Sequence, residues 1–142
     1  MQIRIKRFDT SIPLPEYKTP GAAAMDLAAR TDVTIAPGQV VNIPLNVAIE
    51  PPKGYFVVLV TRSSLWKRGL TPINGIGVID QDYSGDNDEY QAMVRNYTDS
   101  PVEVKKGDRI AQIIVLPYEN AVLAEVEHLG NTNRGPSGST GV

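Results

Sequence analysis

Apolar and polar residues alternate in short runs along most of this chain. Gln2-Ile3-Arg4-Ile5-Lys6 opens the pattern and predicts a half-buried strand over residues 1–8. A second strand is expected over 31–35, stopped by the turn pair Pro37-Gly38. Residues 39–50 place Val41, Ile43, Leu45, Val47 and Ile49 on one face and predict one long strand. After a Pro51-Pro52-Lys53-Gly54 turn, the β-branched and aromatic run 55–61 suits a buried strand. Further strands are expected over 90–96, 102–104 and 109–116, with Lys106-Gly107-Asp108 as a turn. The 11 prolines and 12 glycines are spread through the chain and leave little room for long helices. Only residues 63–69, with a serine to cap and a glycine to stop, predict a short helix of about one to two turns. The series predicts an all-β fold, a jelly-roll-like barrel or sandwich. It forms one domain over 1–129, followed by a Gly/Ser-rich tail over 130–142 that is expected to be flexible.

Length and composition narrow the chemistry. The chain has 142 residues, enough for one domain with one core. A net charge of −2 lacks the basic surface that a duplex nucleic acid needs, so no nucleic-acid partner is expected. There is no cysteine, which removes disulfides, thiolate metal sites and cysteine nucleophiles. The single histidine, His128, cannot build a multi-histidine metal site. No signal peptide or membrane span is legible, so a soluble, cytoplasmic protein is expected.

Several local groupings carry candidate chemistry. Arg62-Ser63-Ser64 follows a strong strand and opens the predicted helix, and a guanidinium beside hydroxyls and helix N–H groups suits an anion. In isolation the plainer reading, a helix cap with a surface arginine, is the favoured one. The segment from Asn74-Gly75 to Gly85 reads as a glycine-rich hairpin that a ligand can approach closely. Within it Asp80 follows Gly77-Val78-Ile79, an odd place for a merely solvated carboxylate, and is a candidate general base. Tyr83 offers a flat face for a sugar or base. Asp86-Asn87-Asp88-Glu89 lacks calcium-loop spacing and reads as a solvated turn. Gln112 interrupts an apolar ladder and suits either a ligand contact or a satisfied core amide. The tail's Arg134, Ser137, Gly138, Ser139 and Thr140 offer donors that can wrap a polyphosphate, without Walker-loop spacing.

The order of these segments is more telling than any one of them. AAAMDLAA (22–29), RSSLWKRGL, NGIGVIDQDYSG, GDRIAQ and RGPSGSTG follow one another over essentially the whole chain. That order resembles the trimeric dUTP diphosphatase (dUTPase) family. The resemblance implies a β-clip jelly roll that hydrolyses dUTP to dUMP and pyrophosphate, limiting uracil in DNA and supplying dUMP for thymidylate synthesis. It implies that Asp80 activates the water attacking the α-phosphorus, and that Tyr83 packs on the deoxyribose and crowds out a 2′-hydroxyl. Asn74 and the backbone of Gly77, Val78 and Ile79 would meet uracil, while Arg62, Ser63, Ser64 and Gln112 would contact phosphates. Asp26 would support the polar network. Arg134, Ser137, Gly138, Ser139 and Thr140 would close over the triphosphate in a neighbouring subunit's site. Mg²⁺ is implied as a cofactor held through phosphates and water rather than by direct protein ligands.

Some positions depart from the family pattern. Ser137, preceded by Pro136, stands where a phenylalanine usually stacks on uracil; a lost stack implies about 1–3 kcal/mol weaker base binding. Ala24 replaces a usual glycine, and Trp66 and Lys67 follow the second motif. Two alternatives stay open: a dCTP deaminase-type enzyme and a non-catalytic nucleotide sensor of the same fold. The deaminase branch relies on a glutamate where this chain has Met93.

Overall fold

The computed structural model describes residues 1–135. Its strands are β1 (Arg4–Arg7), β2 (Met25–Ala28), β3 (Val33–Ile35), β4 (Val40–Pro44), β5 (Val47–Glu50) and β6 (Tyr55–Thr61). A single 3₁₀ turn (Leu65–Arg68) precedes β7 (Leu70–Pro72), β8 (Gly77–Ile79), β9 (Gln91–Asn96), β10 (Val102–Val104) and β11 (Arg109–Pro117). Among the described residues no helix is long and apolar enough to cross a membrane.

Every strand pairing is antiparallel. The largest sheet has the order β2-β11-β6-β8, and a second has β4-β9-β7. Two strand pairs, β1-β5 and β10-β3, complete the all-β architecture. Between these layers lies one core, with Leu27, Val57, Leu59 and Ile113 from the first sheet meeting Ile43, Leu70 and Val94 from the second. Strand neighbours are mostly far apart in sequence, as a jelly roll requires.

Most of the predicted strands form, and three expectations need correction. The alternation over 39–50 is not one strand. Asn46 adopts a left-handed backbone (φ 70°), which breaks the run into β4 and β5 and sends them to different sheets. Hydrophobic alternation is blind to such a break because the period resumes on the far side. The Asn74-Gly75 turn does not close a two-stranded hairpin: β7 pairs with β9 while β8 pairs with β6, so the turn carries the chain between sheets. The predicted helix is only a 3₁₀ turn. Its cap residue Ser64 makes no side-chain capping bond, and Gly69 ends it at φ 79°. A Cβ on Gly69 would lie 2.3 Å from the Thr98 methyl, so close packing as well as backbone angle requires glycine here. Beyond Pro117 the described chain has no regular structure, and Val122, Leu123 and Leu129 are almost fully exposed.

Candidate functional site

The functional groups gather at two places on the β2-β11-β6-β8 sheet. The first lies at the β2 edge. Asp26 is paired across the ladder with Gln112 of β11, which is paired in turn with Val60 of β6. The Asp26 side chain is only 13% exposed, and Arg62 Nε reaches its Oδ1 at 3.1 Å while Arg109 Nη1 reaches its Oδ2 at 3.0 Å. One carboxylate thus holds two guanidinium groups that would otherwise repel each other. Around them opens a cavity of about 490 Å³ that Lys18, Ala24, Ser63 and Gln112 also line. Three cationic side chains, a hydroxyl and an amide facing one hollow make a receptor for a polyanion.

Local sequence explains this arrangement. Asp26 and Gln112 sit at positions of their strands that face away from the core, Asp26 between Met25 and the buried Leu27 and Gln112 between the buried Ala111 and Ile113. Arg62 is placed by the end of β6, where its N–H donates to the Ile110 carbonyl (3.0 Å), and Ser63 and Ser64 are exposed beside it. The sequence groupings point directly to neither Arg109 nor Lys18. Arg109 lay within the GDRIAQ segment, so its charge next to Gln112 was an available signal; Lys18 carried none.

The second place lies at the opposite edge, around β8. Tyr83 donates its N–H to the Asp80 carbonyl (3.2 Å), closing a β-turn that leaves Asp80 exposed. Gln81 anchors this turn from behind: its Oε1 accepts from the Gly54 N–H (3.3 Å) and the Tyr118 hydroxyl (3.1 Å). A groove of about 910 Å³ runs past Asp80 and is lined by Glu50, Lys53, Phe56, Gln81 and Tyr118. Asn74 is exposed at its turn, where the Ile76 N–H donates back to the Asn74 carbonyl (2.7 Å). Gly77 is closely packed: a Cβ there would sit 3.2 Å from both the Cβ and the carbonyl oxygen of Leu59. Val78 on the free edge of β8 is 63% exposed, and Tyr83 is 42% exposed.

These two places do not meet within one chain. Three strand spacings of about 4.8 Å, and about four residues at ~3.3 Å along the strands, put Asp26 and Asp80 roughly 20 Å apart. Between them the outer face of the sheet is apolar, with Val58, Val60, Ile114 and Val78 half-buried or exposed. Trp66 is largely exposed beyond Ser64, with the Lys67 ammonium 5.9 Å from its ring centre. Met93 lies on β9, opposite Asn42. Arg134 falls in the exposed C-terminal segment, while Pro136, Ser137, Gly138, Ser139 and Thr140 lie outside the described residues. Among the described residues no group of three or more His, Cys, Asp or Glu side chains is placed to hold a metal.

A match to the dUTPase family model extends over residues 10–141. The chain belongs to the dUTPase family. A deoxyuridine 5′-triphosphate nucleotidohydrolase of Desulfitobacterium hafniense is 45% identical over 148 residues, covering 100% of this chain and 96% of that protein. The dUTPase of Streptococcus mutans superposes with a TM-score of 0.75 at 31% identity, over 83% of this chain and 98% of its own. A Staphylococcus bacteriophage 80alpha dUTPase mutant solved with dUpNHpp superposes with a TM-score of 0.86 over 99% of both chains. At 22% identity the phage enzyme shows the shared fold alone, a jelly-roll β-clip.

Proposed function

We infer that this chain is a dUTP diphosphatase that hydrolyses dUTP to dUMP and pyrophosphate, and that each active site is shared between copies of the chain. One observation carries the reading. The Asp80 turn and the Asp26–Arg62–Arg109 basin lie at opposite ends of one apolar sheet face, too far apart to serve one nucleotide. A second copy laid against that face would bury Val58, Val60, Ile114 and Val78 and bring its basin towards the turn. A homotrimer with a closed ring of such heterologous contacts satisfies every copy.

In this reading the nucleoside end lies on the turn and the triphosphate in a neighbour's basin. Tyr83 carries the deoxyribose, and Asn74 with the backbone of Gly77, Val78 and Ile79 meets uracil. Arg62, Ser63, Ser64 and Gln112 take the phosphates, and Arg109 and Lys18 join them. Asp80 accepts a proton from a water whose oxygen bonds to the α-phosphorus, while the bond from that phosphorus to the bridging oxygen breaks and pyrophosphate leaves. The donors present fit Mg²⁺ carried by the substrate, because both oxygens of Asp26 are already occupied by arginines. When bound to the triphosphate it would neutralise charge. Arg134 and the Ser137–Thr140 segment would close over the triphosphate, the tail beginning near residue 130. Location in the cytoplasm accords with a role in the deoxynucleotide supply. Deamination of dCTP and nucleotide sensing without catalysis are disfavoured, since the relatives are named as dUTP nucleotidohydrolases and Met93 offers no proton acceptor.

The test has two parts. Pyrophosphate release should be fastest with dUTP among dUTP, dCTP, dTTP and UTP, without ammonia from dCTP. Asp80→Ala and Arg62→Ala proteins should each be nearly inactive alone. Unfolded and refolded together, they should recover up to about a quarter of wild-type activity, because random assembly pairs an intact turn with an intact basin that often. Failure of the mixture to regain activity, with trimers confirmed by mass, defeats the shared site.

A further inference from the structure

Behind the Asp80 turn lies an ion pair that neither the sequence motifs nor the reaction uses. Glu89 is 8% exposed although it ends an acidic run. Its carboxylate accepts from Arg30 Nε (2.7 Å) and Nη2 (2.8 Å) and from the Asn46 N–H (2.9 Å). Asn46 is the left-handed residue that separates β4 from β5, the only non-glycine at positive φ among the described residues, and Glu89 satisfies its backbone donor. The Arg30 guanidinium in turn lies 5.8 Å from the centre of the Phe8 ring. A bidentate pair with a further backbone donor leaves Glu89 little freedom.

The next residue transmits that rigidity. Tyr90 is 1% exposed, and its backbone is fixed on both sides of Asn46: its N–H donates to the Val47 carbonyl (2.8 Å) and its carbonyl accepts from the Leu45 N–H (2.9 Å). Its ring stacks behind that of Tyr83, with centres 6.3 Å apart and planes inclined by 27°. Tyr83 is therefore supported on one face and open on the other. The loop between them is short and internally bonded, since the Gly85 N–H donates to the Asp88 carboxylate (2.7 Å).

We propose that Tyr90, fixed by the Arg30–Glu89 pair, is a positioning residue that holds the Tyr83 ring and thereby sets the preference for deoxyribose over ribose. The inference rests on Tyr83 being the sugar platform. A flat ring excludes one hydroxyl only if it cannot tilt by about an ångström, and a surface tyrosine without a backing ring has that freedom.

The test compares kcat/KM for dUTP and UTP in Tyr83→Ala, Tyr90→Leu, Tyr90→Phe and Glu89→Gln proteins, with Tm recorded for each. Tyr90→Leu should lower the dUTP/UTP ratio by about tenfold, and Glu89→Gln by a smaller factor, both with a raised KM for dUTP and little change in kcat. Tyr90→Phe keeps the ring and should keep the ratio. A folded Tyr90→Leu protein with an unchanged ratio overturns the proposal if Tyr83→Ala does alter it. If Tyr83→Ala leaves the ratio unchanged, the sugar-platform reading itself fails and the proposal falls with it. Should Tyr90→Leu not fold, Glu89→Gln decides: a ratio equal to wild type overturns the proposal.

Discussion

At the β2 edge of the main sheet, Asp26 is held between two guanidinium groups in a hollow of about 490 Å³. At the β8 edge, Asp80 stands exposed on a turn whose walls are backbone, glycine and aromatic rings. The basin is organised by charge and is preformed within one chain. The turn is organised by shape. This contrast suits a substrate with a charged end and a flat, nearly neutral end. It also separates two kinds of failure, because damage to the basin should show in stability and phosphate binding, and damage to the turn in turnover and selectivity.

The largest effect is expected from Asp80→Ala. Removing a general base costs about 10²–10⁴ in rate, and because Asp80 is exposed its loss should leave Tm within about 1 °C of wild type. Retention of dUTP turnover by this variant would remove Asp80 from the mechanism. Asp26→Asn should behave in the opposite way. It leaves Arg62 and Arg109 without their shared countercharge, and a stability loss of about 2 kcal/mol is expected together with at least about a tenfold fall in kcat/KM. Chemical denaturation and steady-state kinetics check both. A variant as stable as wild type would mean that the basin is not preorganised by its carboxylate.

The difference between the two regions also decided what could be read from sequence. The strands at 55–61, 102–104 and 109–116 were legible because apolar β-branched residues concentrate there and turn residues bound them. The 39–50 segment was misread because a single left-handed Asn46 leaves the period intact while redirecting the chain. Asp80 and Gln112 stand out as polar groups in apolar surroundings and Tyr83 as a flat face beside a glycine-rich turn, and the motif order gives all three roles. Lys18 was invisible, since its place in the basin depends on how an irregular segment packs over β2. Glu89 was read as solvated because the residues before it are acidic, yet Arg30, distant in sequence, draws it inside. The roughly 20 Å between basin and turn follows only from strand order, which no local pattern encodes.

A smaller effect sharpens the account of the turn. Gly77→Ala places a Cβ 3.2 Å from the Leu59 carbonyl and Cβ, so β8 must shift by a few tenths of an ångström. A cost of about 1 kcal/mol in stability is expected, with a several-fold rise in KM for dUTP and less change in the inhibition constant of pyrophosphate. Equal weakening of dUTP and pyrophosphate would show that the turn and basin are not separable.

The smallest effect tests whether charge reaches beyond the basin's own residues. Asp108 precedes Arg109, and its Oδ2 accepts from Arg68 Nη2 (2.8 Å) and the Lys105 N–H (2.9 Å). Burial pushes its carboxyl pKa up, but the Lys105 N–H and the Arg68 guanidinium outweigh this and hold it below the ordinary aspartate range. A carboxyl with a depressed folded-state pKa stabilises the protein above its unfolded value and loses that contribution as pH falls through the folded one. Asp108→Ala should therefore lower Tm at neutral pH by about 3 °C, because a pair about one-third exposed contributes on the order of 0.5–1 kcal/mol. The gap from wild type should begin to narrow below about pH 4, where unfolded aspartates protonate, and close only as pH falls through the lower folded-state value. A gap that does not narrow at all as pH falls from neutral into the acid range would assign the loss to packing of the turn into β11 rather than to charge. The dUTP/UTP ratio at neutral pH should stay unchanged, since this pair supports the basin edge and not the Tyr83 platform.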